Sequence, residues 1–388
     1  MVQFHVATEA EILAGAVTDA YFARTMEILK RKPVSRPVVM EIRATALPDR
    51  WPWAVFAGLE ELAALLEGIQ KPLELFCLDE GTLFRAGDPV GYVTGDYIDI
   101  CVYETAMLGF LCQATGIATR AARCVKAAEG RPVQSFGTRR IHPALAPMVD
   151  RSAYIGGCAG YSNMAAAARL GGRASGTMPH ALILLAGDTV EATRMFDEVI
   201  DPAVPRISLI DTFLDEKFEA LRVAEALGKR LHGMRLDTPS SRRGDFIAML
   251  KEIRWELDLR GFKDVKLMTS GGLDEYKIRE LNPYCDGYGV GTALSNAPVV
   301  DFSMDIVEID GKPAVKRGKL SGRKRLLRQG PAPSQRILVP WEANDPRAKD
   351  DMLSLKSRHG KTTVALPDVE TIRAYVLNQL ENVTLEGE

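Results

Sequence analysis

Between about residues 131 and 295, short apolar or extended runs end in small polar residues and are followed by helix-compatible segments, repeatedly. The runs close near Thr138-Arg139-Arg140, Gly156-Gly157, Gly176-Thr177, Asp211-Thr212, Asp237-Thr238, Ser270-Gly271-Gly272 and Gly289-Val290-Gly291. Intervening segments are helical: Leu214, Phe218, Leu221 and Ala224 fall on one face, and Phe246, Leu250 and Ile253 on another. Parallel neighbours cannot be joined by a tight turn, so this alternation predicts a parallel sheet with right-handed crossovers. Seven such units with polar residues at each carboxyl end fit an α/β barrel, whose active site lies at that face, better than an open sheet. A doubly wound sheet is the alternative, because sequence does not show closure.

The flanks have another texture. Val38–Ala44 reads as a strand, and Leu59, Leu62 and Leu66 recur at helical spacing. From Leu73 to Tyr97, short extended pieces are broken by Gly81, Gly87-Asp88-Pro89, Gly91 and Gly95-Asp96, the pattern of a small β-barrel or sandwich-like lobe. An alanine-rich stretch from Tyr103 to about Ala128 predicts a buried packing helix. Beyond the repeats, Phe302–Ile309 and Ala314–Arg317 flank a hairpin turn at Asp310-Gly311, and Gln329–Pro333 reads as a linker. Pro367-Asp368 opens a last helix on which Val369, Ile372, Val376 and Leu380 share a face. The expected organisation is an N-terminal α+β lobe at 1–130, a barrel domain at 131–300, and C-terminal strands, linker and helix at 301–388 packing back on the lobe.

Bulk properties exclude several classes. Lys plus Arg total 49 against 51 Asp plus Glu, so no nucleic-acid partner or acidic-membrane partner is expected from net charge. Any basic site must be local. Six scattered cysteines without a C-x-x-C pair fit neither a zinc knuckle nor a disulfide framework, and they predict a reducing, cytoplasmic address. The first ten residues carry no charged-then-apolar leader, and no apolar run approaches the length of a membrane span. A Walker loop, G-x-S-x-G and H-E-x-x-H are all missing.

The densest chemistry lies in Gln134–Pro143, where Phe136, Thr138, Arg139, Arg140 and His142 crowd a predicted strand end. Guanidinium forks suit carboxylates and phosphates, and an aromatic ring can stack on a flat heterocycle. Ser270-Gly271-Gly272 and Gly289-Val290-Gly291-Thr292 close the last two strands and can offer backbone N–H groups to a phosphate. Asp211 and Asp237 each close a short strand, where a carboxylate serves as a helix N-cap or holds Mg²⁺ or sugar hydroxyls. Arg235, two residues before Asp237, belongs on the same strand face. His180, in Gly176-Thr177-Met178-Pro179-His180, is by itself as compatible with a core histidine as with a catalyst. Tyr21, in Thr18-Asp19-Ala20-Tyr21-Phe22, reads alone as part of a helix start.

As a set, these clusters resemble the nicotinate phosphoribosyltransferases of the type II class, relatives of the quinolinate and nicotinamide enzymes. The resemblance runs from about Thr18 to Lys324 and rests on Ser135–Arg140, Gly176–His180, Asp211-Thr212-Phe213, Thr269–Asp274 and Gly289–Thr292 in that order. It implies an incomplete, TIM-like α/β barrel under a β-rich N-terminal lobe, in a homodimer or higher homo-oligomer with shared active sites. It further implies that Phe136 stacks on the pyridine ring, with Tyr21 of a partner copy covering the other face. Arg139 and Arg235 would contact the anionic groups of nicotinate and phosphoribosyl pyrophosphate, with Thr138, Arg140 and Thr177 also among the substrate-binding residues. Asp211 and Asp237 would position the ribose or its Mg²⁺, and Gly271, Gly272, Gly289 and Gly291 would bind the 5-phosphate by backbone N–H groups, with Ser270 and Thr292 also substrate-binding. In many relatives the histidine matching His180 is phosphorylated by ATP, and whether ATP is used here is left open.

Ala159 stands where nicotinamide-specific relatives carry an aspartate, and its lack of charge favours an acid substrate. No cysteine follows Cys285, so the C-terminal metal cluster of some relatives is not expected. Quinolinate is the closest rival substrate, with Arg140 and His142 available for a second carboxylate. A barrel that binds phosphate ligands without turnover, as a metabolite sensor, is the rival from another class.

Overall fold

The computed structural model describes residues 4–343 and 345–387. Along the chain the strands are β1 (Pro37–Ala44), β2 (Ala54–Val55), β3 (Glu74–Cys77), β4 (Leu83–Phe84) and β5 (Pro89–Asp96). There follow β6 (Val133–Ser135), β7 (Ile207–Leu209), β8 (Gly233–Leu236), β9 (Lys266–Ser270) and β10 (Gly287–Val290). The last are β11 (Phe302–Ile309), β12 (Lys312–Pro313), β13 (Lys324–Arg328), β14 (Arg336–Pro340), β15 (Ser354–Arg358) and β16 (Lys361–Thr362). The chain forms two compact units, one from residues up to Ala122, Ile155–Gly157 and Ala297 onward, the other from Arg123–Tyr154 and Cys158–Asn296.

The first unit is built on a seven-stranded sheet in the order β12-β11-β1-β5-β3-β15-β16, whose pairings are antiparallel. β1 is rich in β-branched and large apolar residues and lies between β11 and β5, so Met40, Ile42 and Ala44 are buried. Against this core pack Leu59, Leu62 and Leu66 of the helix Leu59–Ile69. Within it, Lys324 Nζ lies 2.7 Å from Glu41 Oε2, which also accepts from Tyr92 OH at 2.9 Å. Each of these three buried groups thus has a partner, as a low-dielectric site requires.

At Asp310 (φ 50°) and Gly311 (φ 71°), two successive left-handed residues turn the chain between β11 and β12. The return strand is Lys312–Pro313, earlier than the expected Ala314–Arg317. Gln329–Pro333 is the loop between the paired strands β13 and β14, not a linker. The final helix, Val369–Leu380, is capped by Asp368 and buries Ile372, Val376 and Leu380 as its periodicity predicts. Gln379 on the same helix donates to Gly81 O and accepts from Leu83 N, tying the helix to the β4 region.

The helical stretch Tyr97–Ala127 corrects one expectation. It is long and apolar enough, by length and composition, to cross a membrane, and half of its most apolar window is buried inside the protein. Gly156 explains why it is so alanine-rich: a Cβ there would meet Ala118 O at 2.3 Å and Ala121 Cβ at 2.6 Å. Gly156-Gly157 is therefore a place where backbone closes on a helix, not the end of a strand. It follows the helix Ala146–Ile155, and the segment before Gly176 contains the helix Met164–Leu170. Two of the seven expected strand ends are thus absent.

The second unit carries five parallel strands in the order β6-β10-β9-β8-β7. β10 returns beside β6, so the strands form an arc interrupted between β6 and β7. Between those two in sequence the structure gives a single parallel bridge, Tyr161 to Ala174. This is the incomplete α/β barrel. The helix Glu216–Leu227 buries Ala220, Val223, Ala224 and Leu227, whereas Phe218, and Leu214 just before the helix, are exposed. The helix Phe246–Leu259 does bury Phe246, Leu250 and Ile253.

Candidate active site

The carboxyl ends of β6, β8, β9 and β10 surround a pocket of about 680 Å³. Its wall contains Phe136, Thr138, Arg139, Arg140, Thr177, His180, Arg235, Asp237, Ser270, Gly271, Gly272, Gly289, Gly291 and Thr292, all belonging to the second unit. Parallel alignment makes this convergence possible, because every strand delivers its last residues to the same rim.

Phe136 leaves β6 with its N–H still donating to Val290 O at 2.8 Å. Its ring lies over Gly289: a Cβ there would stand 2.3 Å from Phe136 Cε2. Only glycine leaves room for the aromatic floor. Gly137 is equally confined, since a Cβ would meet Gly291 O at 2.8 Å. The Arg235 guanidinium lies 5.5 Å from the Phe136 ring centroid and donates through Nη2 to Met178 O at 3.1 Å. Its burial lowers the guanidinium pKa from the ordinary value, opposed by the carboxylates Asp237 and Asp211. An arginine, an aromatic face and the Asp237 carboxylate thus share one wall, with Asp211 buried behind it.

Asp150, fully buried, fixes the approach to this floor. One carboxylate oxygen accepts from Ser135 Oγ at 2.7 Å, and the other from the N–H groups of Ser162 at 2.9 Å and Asn163 at 2.8 Å. It therefore ties the residue before Phe136 to the loop carrying Ser162, which also lines the pocket. Nothing in the sequence marked Asp150 beyond its being an acid in an apolar helix.

The acidic side of the pocket is unusual. Asp211 has a side chain only 1 % exposed, and neither of its oxygens has a hydrogen-bond partner among the described residues. His180 Nε2 lies 3.8 Å from Asp211 Oδ2 and 3.8 Å from Asp237 Oδ2, while His180 Nδ1 is 3.0 Å from Thr212 Oγ1. Burial pushes the Asp211 carboxyl above its ordinary pKa; His180 opposes that rise and Asp237 adds to it. Asp237 Oδ1 accepts from Ser270 Oγ at 2.8 Å, leaving Oδ2 toward the histidine. Neither aspartate caps a helix. The caps are Asp215 and Asp245, further along.

Beside Asp237 the pocket offers backbone. Gly271 (φ 83°) and Gly272 (φ 67°) are consecutive left-handed residues, a conformation that only glycine adopts without strain. The sequence singled out this loop but not Arg243, which donates from Nη2 to Ser270 O at 2.8 Å and to Gly271 O at 2.7 Å. Its only sequence signal was the basic pair Arg242-Arg243 eight residues after Arg235.

Four expected residues lie apart. Tyr21 belongs to the first unit, on the helix Ala20–Arg31, and is 58 % exposed. Asp211 sits behind the pocket lining, next to His180. His142 caps its own turn by accepting from Ala144 N at 3.2 Å, and Ala159 is exposed and outside the pocket lining. No group of three or more His, Cys, Asp or Glu able to hold a metal occurs among the described residues. Two strand-end carboxylates do suit Mg²⁺, which keeps several waters and is commonly shared with substrate phosphates.

The strand-end pocket of an interrupted α/β barrel defines the chain as an enzyme of the barrel type. Residues 19–115 match the family described as quinolinate phosphoribosyl transferase, N-terminal domain, and residues 117–305 match its C-terminal domain. The chain is similar to a nicotinate phosphoribosyltransferase of Mycobacterium tuberculosis, 32% identical over 358 residues, or 82% of this chain and 79% of that relative. It is also similar to the nicotinate phosphoribosyltransferase of Bacillus subtilis, 31% identical over 335 residues, or 76% of this chain and 67% of the relative. Among solved structures, the nicotinate-nucleotide pyrophosphorylase of Pyrococcus furiosus is 48% identical with a TM-score of 0.94, covering 98% of both chains. Human nicotinic acid phosphoribosyltransferase, 20% identical with a TM-score of 0.76 over 94% of this chain and 93% of that one, shares the fold. The chain belongs to the type II phosphoribosyltransferase family of quinolinate and nicotinate phosphoribosyltransferases, enzymes of NAD biosynthesis.

Proposed function

We propose that this enzyme joins nicotinate to the ribose of phosphoribosyl pyrophosphate, forming nicotinate mononucleotide and pyrophosphate. The observation that carries the reading is the pairing of Phe136 with Arg235, 5.5 Å apart, at the floor of a pocket edged by Arg139 and Arg140. A flat pyridine lying on the ring brings its carboxylate to a buried guanidinium. The names of the Mycobacterium and Bacillus relatives support the same substrate.

The reaction asks little covalent chemistry of the protein. Pyrophosphate departs as the anomeric carbon gains positive charge, and the pyridine nitrogen adds to it. Catalysis then consists of holding two anionic reactants in line and stabilising the charge that develops. Asp237 faces the developing cation and the ribose hydroxyls with the buried Asp211 carboxylate behind it, Arg139 and Arg140 face the leaving group, and Gly271, Gly272, Gly289 and Gly291 cradle the 5-phosphate. Mg²⁺, held by Asp237 and Asp211 with substrate oxygens, would supply charge neutralisation of the pyrophosphate. His180, between two carboxylates and open to the pocket, is the residue at which ATP coupling would act. Tyr21, exposed and outside the pocket, fits a role in a partner copy's site within a homo-oligomer.

Quinolinate is the second reading, favoured by the family descriptions and by the two additional arginines at the rim. A product assay with phosphoribosyl pyrophosphate and Mg²⁺, offering nicotinate, quinolinate and nicotinamide in parallel with and without ATP, separates the readings. Nicotinate mononucleotide from nicotinate is expected. The same nucleotide formed from quinolinate with release of carbon dioxide, and none from nicotinate, would overturn the proposal.

A further inference from the structure

We propose that Arg243 is a positioning residue that pre-organises the Gly271-Gly272 loop as an anion-binding nest for the phosphate of the ribose substrate. The inference rests on the phosphoribosyl reading above and names a residue outside the pocket lining. Arg243 lies in the loop between β8 and the helix Phe246–Leu259, and it is held from three directions. Its Nε donates to Thr238 O at 2.6 Å, next to Asp237. Its Nη2 donates to two successive carbonyls, Ser270 O at 2.8 Å and Gly271 O at 2.7 Å. Its guanidinium carbon lies 4.7 Å from the ring centroid of buried Phe246.

The consequence follows from peptide geometry. In a trans peptide the C=O and the following N–H point in opposite directions. With the carbonyls of Ser270 and Gly271 both turned to Arg243, the N–H groups of Gly271 and Gly272 point away from it. Neither N–H has a hydrogen-bond partner among the described residues. Both glycines line the pocket and both have positive φ, 83° and 67°. Successive N–H groups in such a conformation form a concave site for an anion.

The planar fork matters here because one terminal nitrogen reaches two carbonyls while Nε holds a third on the neighbouring strand's loop. The same residue thereby keeps the Asp237 segment and the phosphate loop in fixed register. A Cβ on Gly271 would stand 3.0 Å from both Arg243 Nη2 and Asp237 Oδ1, a measure of how closely the three groups are packed.

The test uses the full-length enzyme, with Arg243→Ala and Arg243→Lys, and ribose 5-phosphate as the probe in calorimetric titration. Wild type is expected to bind ribose 5-phosphate. In Arg243→Ala, binding should weaken by about ten- to a hundredfold, the scale of charged hydrogen bonds lost. The KM for phosphoribosyl pyrophosphate should rise in parallel, while the KM for the pyridine substrate stays within about twofold. Arg243→Lys, which keeps the charge without the fork, should recover only part, and low millimolar guanidinium should restore binding to the alanine variant. Unchanged ribose 5-phosphate affinity in both variants, or a loss confined to kcat, would overturn the role of Arg243 and leave the phosphoribosyl reading intact. Failure of wild type itself to bind the probe would instead remove the phosphoribosyl reading, and the nest with it.

Discussion

Gly289→Ala tests the site more sharply than deletion of any polar residue, because it adds one carbon at a place where the structure has none to spare. The new Cβ would stand 2.3 Å from Phe136 Cε2, 2.4 Å from Phe136 Cδ2 and 3.1 Å from Ser270 Cβ. Carbon atoms rest at about 3.5–4.0 Å, so one side must give by more than about 1 Å. Gly289 cannot retreat, since β10 is paired with Gln134 on one side and Ser270 on the other. The Phe136 ring must move instead. Overpacking of this kind costs about 1–3 kcal/mol, which lowers Tm by about 2–12 °C in a cooperative unit of this size. A shift of about 1 Å in a substrate-positioning surface costs about a hundredfold in kcat/KM. Scanning calorimetry and steady-state kinetics on Gly289→Ala should show both losses. Combining it with Phe136→Ala should relieve the stability loss, giving a non-additive cycle, without restoring the KM for the pyridine substrate. A Gly289→Ala enzyme with wild-type Tm and wild-type kinetics would refute the reasoning, because the ring would then not occupy the place on which the site is built.

Other consequences can be measured directly. Asp211→Asn should abolish turnover and raise Tm at neutral pH: burial lifts the folded carboxyl above its unfolded value, so the ionised form destabilises the fold as pH rises. A lower Tm throughout the pH range would contradict this. Burial, with Asp305 adding, pushes Glu104 from 4.5 up to about 7, so its stabilising contribution is full below its unfolded value and is lost as pH rises toward about 7. Glu104→Gln should flatten the Tm profile across that window, and an unchanged slope would argue against it. Arg123 Nε and Glu275 Oε1 pair at 2.9 Å with side chains 3% and 0% exposed. Arg123→Met should therefore cost about 3–5 kcal/mol in chemical denaturation by breaking this buried ion pair, and a change below about 1 kcal/mol would show the pair to be dispensable.

The strand ends at Asp211, Asp237, Ser270 and Gly289 were legible because parallel strands place their last residues on one rim, and polar residues there interrupt apolar runs. Gly156-Gly157 imitated that signal for another reason, the close approach of backbone to Ala118 and Ala121. A glycine pair shows that space is short without showing what fills it. Leu214 and Phe218 show the complementary limit: apolar residues at helical spacing mark a face without showing whether it is buried, and both lie exposed. Asp150 and Arg243 were not legible at all. Each acts through backbone groups distant in sequence, and such contacts leave no periodic trace. The membership of β11, β15 and β16 in the sheet with β1 was likewise beyond reach of local pattern, since strand pairing across hundreds of residues is decided by tertiary packing.

That sheet has a consequence for how the protein is made. Val38 in β1 pairs with Ile309 in β11, and Leu75 in β3 pairs with Ser357 in β15, so these strands wait for partners made much later in synthesis. The barrel unit comes almost entirely from one uninterrupted stretch, broken only at Ile155–Gly157. Its strands have partners within reach soon after synthesis, whereas closing the longer loop is entropically slower. We expect pulse-labelled exchange during refolding to protect the amides of β8 and β9 before those of β1 and β11, and the reverse order would contradict it. A nascent chain would then leave the β11-facing edge of β1 unpaired until β11 is made, its other edge being taken by β5. The enzyme's vulnerability to misassembly lies in the part of the molecule that carries none of the pocket residues.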